Sequence, residues 1–162
     1  MKRTLILVVI MALFLAGCGG GGSTDPTTPS VPPPTIDEVN NFLDALETAY
    51  AYRDADGVVN AYHDPYIEVS GGKTKYHTRS ELRQDMLDDE EYITSYLFNN
   101  REITITGNYT ATIKCTVYIE VYDAIYETTD AAEREMEIYI SKETGALLIT
   151  KKVALSSWVI KN

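Results

Sequence analysis

An α+β fold is predicted for residues 36–162, and three observations predict it. Apolar residues recur at helical spacing from Ile36 to Tyr50. From Tyr92 onward the hydrophobic period changes to two. Residues 110–122 then alternate without a break, apolar one way and polar the other, as a long half-buried antiparallel strand does. Helices first and strands after argue for helices gathered on one face of a mostly antiparallel sheet.

The elements follow in order. Thr35 and Glu38 form a T-x-x-E capping box, and Val39, Leu43, Leu46 and Tyr50 continue the stripe begun by Ile36 over about 17 residues. A short second helix is expected over Ala55 to Tyr62. Pro65 disfavours the α conformation at Asp64 and ends it near His63. Tyr66 to Val69 reads as a strand with Ile67 and Val69 inward, Gly71-Gly72 as a hairpin turn, and Thr74 to His77 as the return. Thr78 and Glu81 repeat the capping box ahead of a third helix to about Asp88, with Leu82 and Met86 inward. Ile103 and Ile105 alternate up to a Gly107-Asn108 turn. On the next strand Ala111, Ile113, Cys115, Val117, Ile119 and Val121 share the buried face. Met136, Ile138 and Ile140 alternate with Glu133, Glu135 and Glu137, and Thr144-Gly145 turns the chain. The last strand carries Leu147, Ile149 and Val153 and closes on Trp158-Val159-Ile160. Its phase slips before Trp158, which predicts a bulge or turn there.

Charge and composition exclude several classes of function. The chain has 162 residues, 24 acidic against 14 basic, for a net charge of −10. A nucleic-acid binder needs a basic footprint for phosphates, and this balance is the opposite. Two Cys and two His exclude a disulfide framework and a Cys/His zinc site. Asp85, Asp88, Asp89, Glu90 and Glu91 form an acidic run without the Gly turn of a calcium loop. It reads as a solvated, frayed helix end.

The first residues read as an address. Lys2 and Arg3 precede an unbroken apolar run from Leu5 to Ala16. As a helix that run spans roughly 18 Å, short of the roughly 30 Å hydrocarbon core, so it reads as the core of a secretory signal. It ends in Leu15-Ala16-Gly17-Cys18, which resembles the lipobox of bacterial lipoproteins. The resemblance implies a signal peptide over residues 1–17, cleavage before Cys18, and a lipid on its thiol. Several acyl chains on one Cys exceed what stable anchoring needs. Residues 18–35, with Gly19 to Gly22 and five of the six prolines, read as a tether. Cleavage leaves 12 basic residues and a net of −12, which anionic headgroups repel. The protein is therefore expected in the cell envelope, exported and held by lipid alone. In a Gram-negative cell Gly19 implies the outer membrane.

The order helix, helix, hairpin, helix, four strands resembles the nuclear-transport-factor-2-like superfamily, the cone-shaped fold of ketosteroid isomerases and polyketide cyclases. The resemblance covers residues 36–162. It rests on that order, on Tyr62-His63-Asp64 entering the first strand, on Gly107-Asn108, and on the closing Trp158-Val159-Ile160. It implies three N-terminal helices packed on a curved, mostly antiparallel sheet, within the cystatin-like family of folds. It also implies a pocket between sheet and helices. A single helix on a cystatin-like meander is the alternative.

Candidate chemistry is sparse. The isomerases of that superfamily use an acidic base and a Tyr donor inside the pocket. The positions here that could serve are His63, Asp64 and Glu68. Asp64 ahead of Pro65 reads as turn chemistry, and strand alternation turns Glu68 outward. Twelve Tyr are many for this length. Tyr50, Tyr62, Tyr66, Tyr76 and Tyr96, with Tyr92 beside them, lie in elements that would rim the pocket. They would suit a small apolar or sugar-like ligand. His63 and His77 lack metal-ligand spacing, and no metal or cofactor is expected. Cys115 reads as a buried structural thiol. Thr112, Thr116, Tyr118 and Tyr122 on the polar sheet face suggest a weak homodimer, which Glu120, Glu133, Glu135 and Glu137 would oppose. The expected function is a lipid-anchored envelope domain that binds a small molecule or partner and catalyses nothing. The alternatives are an isomerase- or cyclase-like enzyme and a structural module of the envelope.

Overall fold

The structure, a computed structural model, describes residues 31–88 and 90–161. The expected signal peptide, Cys18, most of the tether, and Asp89 of the acidic run lie outside the described residues. The described chain runs α1 (Ile36–Ala51), α2 (Ala55–Asn60), β1 (Tyr62–Ser70), β2 (Lys73–His77), α3 (Arg79–Met86), β3 (Glu91–Ile105), β4 (Thr110–Asp123), β5 (Thr128–Ser141), β6 (Leu148–Ala154) and β7 (Val159–Lys161). This is the α+β architecture expected, with three helices on a curved mixed sheet.

Both capping boxes form. Thr35 and Thr78 accept from the N–H of Glu38 and Glu81, and each glutamate reaches back to its cap. The end of α1 shapes the site. Arg53 takes a left-handed φ of 53°, its N–H donates to the Tyr50 carbonyl, and the Asp54 N–H reaches the Ala49 carbonyl. That paired closure stops the helix. It also frees Asp54 to cap α2 by accepting from the Gly57 N–H at 3.0 Å. Ile36, expected inward, is exposed; Val39, Leu43, Leu46 and Tyr50 are buried.

The sheet order is β2-β1-β6-β5-β4-β3, with β7 added to β5. The β1–β6 pair is parallel; the other pairs among the described residues are antiparallel. Gly71 and Gly72, with φ of 56° and 74°, make the two-residue hairpin that only residues tolerating positive φ at both positions allow. The inner face packs under the helices. Ile113, Cys115 and Val117 of β4 and Met136, Ile138 and Ile140 of β5 meet Leu43, Val58, Leu82 and Met86 there.

Three expectations need correction. The second helix stops at Asn60 and β1 starts at Tyr62, so His63, Asp64 and Pro65 are strand residues. Tyr62 and Tyr66 both take the inner face, and Glu68, two residues on, follows them inward. The register slip against β6 between Tyr62 and Ile67 lies in this stretch. Ile67 and Val69 therefore lie on the outer face. On β6 the cause is a bulge. Lys151 opposes Tyr139 and Ile149 opposes Ile140, so Thr150 is extra. The bulge inverts the alternation after Ile149 and turns Lys152 inward where Val153 was expected. The phase slip before Trp158 is a real break. The chain leaves the sheet after Ala154 and returns as β7 beside Ala131 to Glu133.

Candidate functional site

A cavity of about 290 Å³ opens between the end of α1, α3 and the inner sheet face. Its volume sits near the low end of ligand pockets, roughly 300–1,000 Å³. Tyr50, Leu82, Met86, Tyr92, Ile93, Tyr96 and Val121 supply aromatic and aliphatic walls. A register slip on β3 between Ile93 and Ser95 lets both Ile93 and Tyr96 face the cavity, although they are three positions apart and strict alternation would put them on opposite faces. The Tyr50 and Tyr96 rings stack at 4.3 Å with planes 12° apart, and the Tyr50 hydroxyl meets that of Tyr62 at 3.2 Å. Exposed Asp85 and Glu91 mark the open side, with Arg53 beside them. The Arg53 guanidinium lies 4.1 Å over the Tyr92 ring and donates to the Asp88 carbonyl at 2.8 Å. At the buried end stands Lys152.

Lys152 belongs to a charged cluster set into the inner sheet face. Its ammonium is 3.6 Å from Glu68 Oε2 and 5.4 and 5.2 Å from the Tyr62 and Tyr66 ring centres. Arg134 Nη2 donates to Glu68 Oε1 at 3.0 Å, and its Nη1 to Ser70 Oγ at 3.5 Å. The Arg134 guanidinium also stacks 4.3 Å over the Trp158 ring. His77 lies 3.8 Å from Glu68 and stacks on Tyr66. Burial acts to raise the Glu68 pKa, but Lys152 and Arg134 overcome it and hold the carboxyl below its ordinary value. Burial lowers the Lys152 pKa, and Glu68 offsets this only in part. Burial likewise lowers His77 and pushes Tyr50 up to about 12.

Of the tyrosines expected to rim the pocket, Tyr50, Tyr92 and Tyr96 line the cavity. Tyr62 and Tyr66 are buried behind that wall, where they form its second layer. Tyr76 is misplaced by the expectation. It pairs with Ile67 on the outer face of edge strand β2 and is 63% exposed. His63 and Asp64 are exposed and away from the cavity lining. Asp64 accepts from the Arg79 N–H at 3.2 Å, and His63 Nδ1 contacts the Pro65 carbonyl. Glu68, expected in solvent, faces inward. Sequence reasoning missed Lys152, Arg134 and Arg53. Arg134 was readable, because it shares parity with Met136, Ile138 and Ile140 in an alternating strand. Lys152 was hidden by the bulge at Thr150.

A larger groove of about 540 Å³ runs along α1 and α2, lined by Phe42, Tyr52, Ala61 and Leu147 among others, and holds no buried charged group. Among the described residues, no three His, Cys, Asp or Glu side chains are grouped to hold a metal ion.

No sequence-family profile and no curated protein sequence matches the chain. Solved structures do match. An NTF2-like protein from Cytophaga hutchinsonii aligns with 76% of this chain and 99% of its own at 15% identity and a TM-score of 0.60. A protein proposed to be a scytalone dehydratase, from Novosphingobium aromaticivorans, aligns with 78% of this chain and 87% of its own at 6% identity and a TM-score of 0.62. The β subunit of benzoate 1,2-dioxygenase from Burkholderia mallei aligns with 79% and 91% at 15% identity and a TM-score of 0.58. At these identities the similarity is one of fold. The domain has the nuclear-transport-factor-2-like fold, which serves both enzymes and non-enzymatic proteins.

Proposed function

We propose that the protein is a lipid-anchored domain of the cell envelope whose cone cavity binds a small molecule with a flat apolar body, without catalysis. The observation that carries this reading is the state of Glu68. It is the inward carboxylate of the cluster behind the cavity, and two cations already hold it in its charged form. A general base of the isomerase kind needs a pKa raised toward the working pH, which an apolar wall provides and an ion cluster removes. The stacked Tyr50 and Tyr96, with Leu82, Met86 and Ile93, offer what a flat ligand needs instead. The anchor follows from Leu15-Ala16-Gly17-Cys18 behind an apolar run.

The test has two arms. Tyr96→Ala should abolish the thermal shift given by single-ring aromatic compounds, while Glu68→Gln should leave their affinity within a few-fold of wild type. Cys18→Ala should leave the protein unprocessed and without lipid. An aromatic screen with no hit ends the binding reading, and a lipidated Cys18→Ala protein ends the anchor.

A second reading has one observation in its favour. Glu68 does face the cone, and one structural neighbour is a proposed dehydratase. Under that reading Glu68→Gln would abolish a turnover that Lys152→Met does not.

A further inference from the structure

We infer that the cavity selects apolar molecules bearing a single anionic end, a carboxylate foremost, with Lys152 as the anchor of that end. This rests on the binding reading above and adds the chemical class of the ligand.

The charges behind the cavity do not balance. Lys152 is 7% and Arg134 8% exposed, and both are paired with one carboxylate, Glu68, itself 23% exposed. His77 faces the same carboxylate, but its lowered pKa keeps it neutral at pH 7, so it neither adds charge nor cancels any. With Lys152 as the ammonium that Glu68 faces, the buried cluster carries one positive charge in excess. An uncompensated charge away from water is costly, and a bound anion relieves it.

The hydrogen bonding agrees. Glu68 divides its oxygens, Oε1 to Arg134 and Oε2 toward Lys152 and His77, so neither cation holds the whole carboxylate. The Lys152 ammonium stands 3.6 Å from that oxygen, a loose contact, and its other neighbours are the Tyr62 and Tyr66 rings. Arg134 Nε is fully buried with no acceptor at all. Of the pair, Lys152 is the one that reaches the cavity wall. The positive field is thus set behind an apolar chamber and presented through one ammonium.

The remaining charges define how a ligand enters. Asp85 of α3 and Glu91 of β3 lie at the open side with Arg53 from the end of α1. Lys75 and Glu81 lie beyond His77 and act on it from outside the cavity. Asp85 and Glu91 are exposed and screened by water, whereas Lys152 is not. A polyanion would meet both acids at the entrance. A monoanion delivers its charge to the depth and leaves its apolar body against Leu82, Met86, Ile93 and the Tyr50–Tyr96 stack.

The probes are trans-cinnamate and its neutral amide, cinnamamide, titrated calorimetrically into the full purified chain at pH 7. A charge-assisted hydrogen bond to Lys152 should favour cinnamate by roughly ten- to hundredfold. Lys152→Met should bring the two affinities together. Lys152→Gln serves if the Met variant does not fold. Equal affinities in the wild type overturn the assignment of an anionic ligand and leave the binding reading standing. Binding of neither probe, by heat or by melting temperature, overturns both. A cinnamate preference that survives Lys152 substitution overturns Lys152 as the anchor.

Discussion

Glu68 and Lys152 are register partners across the parallel seam between β1 and β6, and their charged ends face each other at 3.6 Å on the inner side of the sheet. The seam joins the first hairpin to the rest of the sheet. Its inner face therefore carries an ion pair in a row that continues on β5 and β4 as Ile138 and Ile113. A strand register thus decides both how the hairpin is held and why the inward carboxylate is no longer a base.

The first prediction concerns the asymmetry of that pair. Removing one partner of a buried pair costs about 3–5 kcal/mol, because the other is left uncompensated. Glu68→Gln strands two cations and should cost about 3 kcal/mol, allowing for the partial exposure of Glu68. Lys152→Met removes the excess cation and substitutes an apolar chain among Tyr62, Tyr66 and Ile138. It should cost less than about 1 kcal/mol or stabilise. Urea unfolding followed by fluorescence of Trp158, which stacks on Arg134, separates the two. Equal losses would show that the cluster is balanced.

The second prediction is an alkaline transition. Burial, before any other cause, raises Tyr62 and Tyr96 well above their ordinary values and takes Tyr50 to about 12. In the unfolded chain these phenols ionise near pH 10. Above that pH the unfolded state releases protons that the folded state keeps, so stability falls as pH rises. The contribution of Tyr50 is whole below about pH 10 and is lost by about pH 12. Lys152 acts in the opposite sense, since its lowered pKa makes the folded state shed a proton first as pH rises toward its ordinary value. Tyrosinate absorbance should therefore rise in two stages, with Tyr50, Tyr62 and Tyr96 ionising only in the second, together with unfolding. One smooth rise near pH 10 with the fold intact would contradict the buried wall.

The order of elements and the inner faces of β4 and β5 were legible because they follow a strict period. Ile113, Cys115 and Val117 alternate without a bulge opposite Ile138, Met136 and Arg134. Both helix starts were legible because a capping box is a local chemical signal. The site was not. On β6 the extra residue Thr150 moves every later side chain to the other face, so Lys152 takes the inward place that hydrophobicity gave to Val153. On β1 the alternation is intact: Tyr66 and Glu68 share the inner face, and hydrophobicity misled by naming the more apolar Ile67 and Val69 as inward. The tyrosines divided for a different reason. Tyr76 lies on an edge strand opposite Ile67, and β2 carries too few apolar residues to reveal which face is which.

The third prediction concerns the joint between α1 and the sheet. Arg101 follows Asn100, whose φ is 54°, at the β3 bulge. It donates to Asp44 and Glu47 at 2.6 Å each and to the Phe98 carbonyl at 2.8 Å. Glu47 also accepts the Phe98 N–H at 2.7 Å. Arg101→Met leaves the half-buried Glu47 without its cation and should cost about 2–3 kcal/mol. Calorimetry should show a lower Tm with the unfolding transition still cooperative. A Tm unchanged would mean that α1 is held by its apolar stripe alone.

The fourth prediction is chemical. Cys115 lies between Ile113 and Val117 on the buried face, and burial pushes its thiol up to about 12. The thiolate is the reactive form, so labelling of the folded protein by a disulfide reagent at pH 8 should be slow. It should reach completion only in denaturant. Rapid labelling of the native protein at Cys115, located by peptide mapping, would refute the burial.

The last prediction addresses self-association through the outer sheet face. The register places Thr112, Thr116, Tyr118 and Tyr122 of β4 in rows with Tyr139, Glu135, Glu133 and Thr129 of β5. Glu120 and Glu137 share that face. Tyr118 and Tyr139 each donate to a glutamate beside them, at 2.6 Å, so their hydroxyls are turned along the sheet. The face thus offers aromatic rings and threonine methyls for contact, within a field of like charge. Lys114 and Lys151 offset that field only in part. Two copies meeting through this face would bring their glutamates together, and the repulsion is screened over about 10 Å at 0.1 M salt and about 3 Å at 1 M. Any homodimer should therefore be weak at low salt and tighten as salt rises, the reverse of an association driven by opposite charges. Sedimentation velocity of the full chain in detergent, at 0.05 and 1 M sodium chloride, reads this directly. Glu133→Gln with Glu135→Gln should remove most of the salt dependence and strengthen the dimer at low salt. A strict monomer at both salt concentrations, in wild type and double variant alike, ends the idea of a dimer on this face.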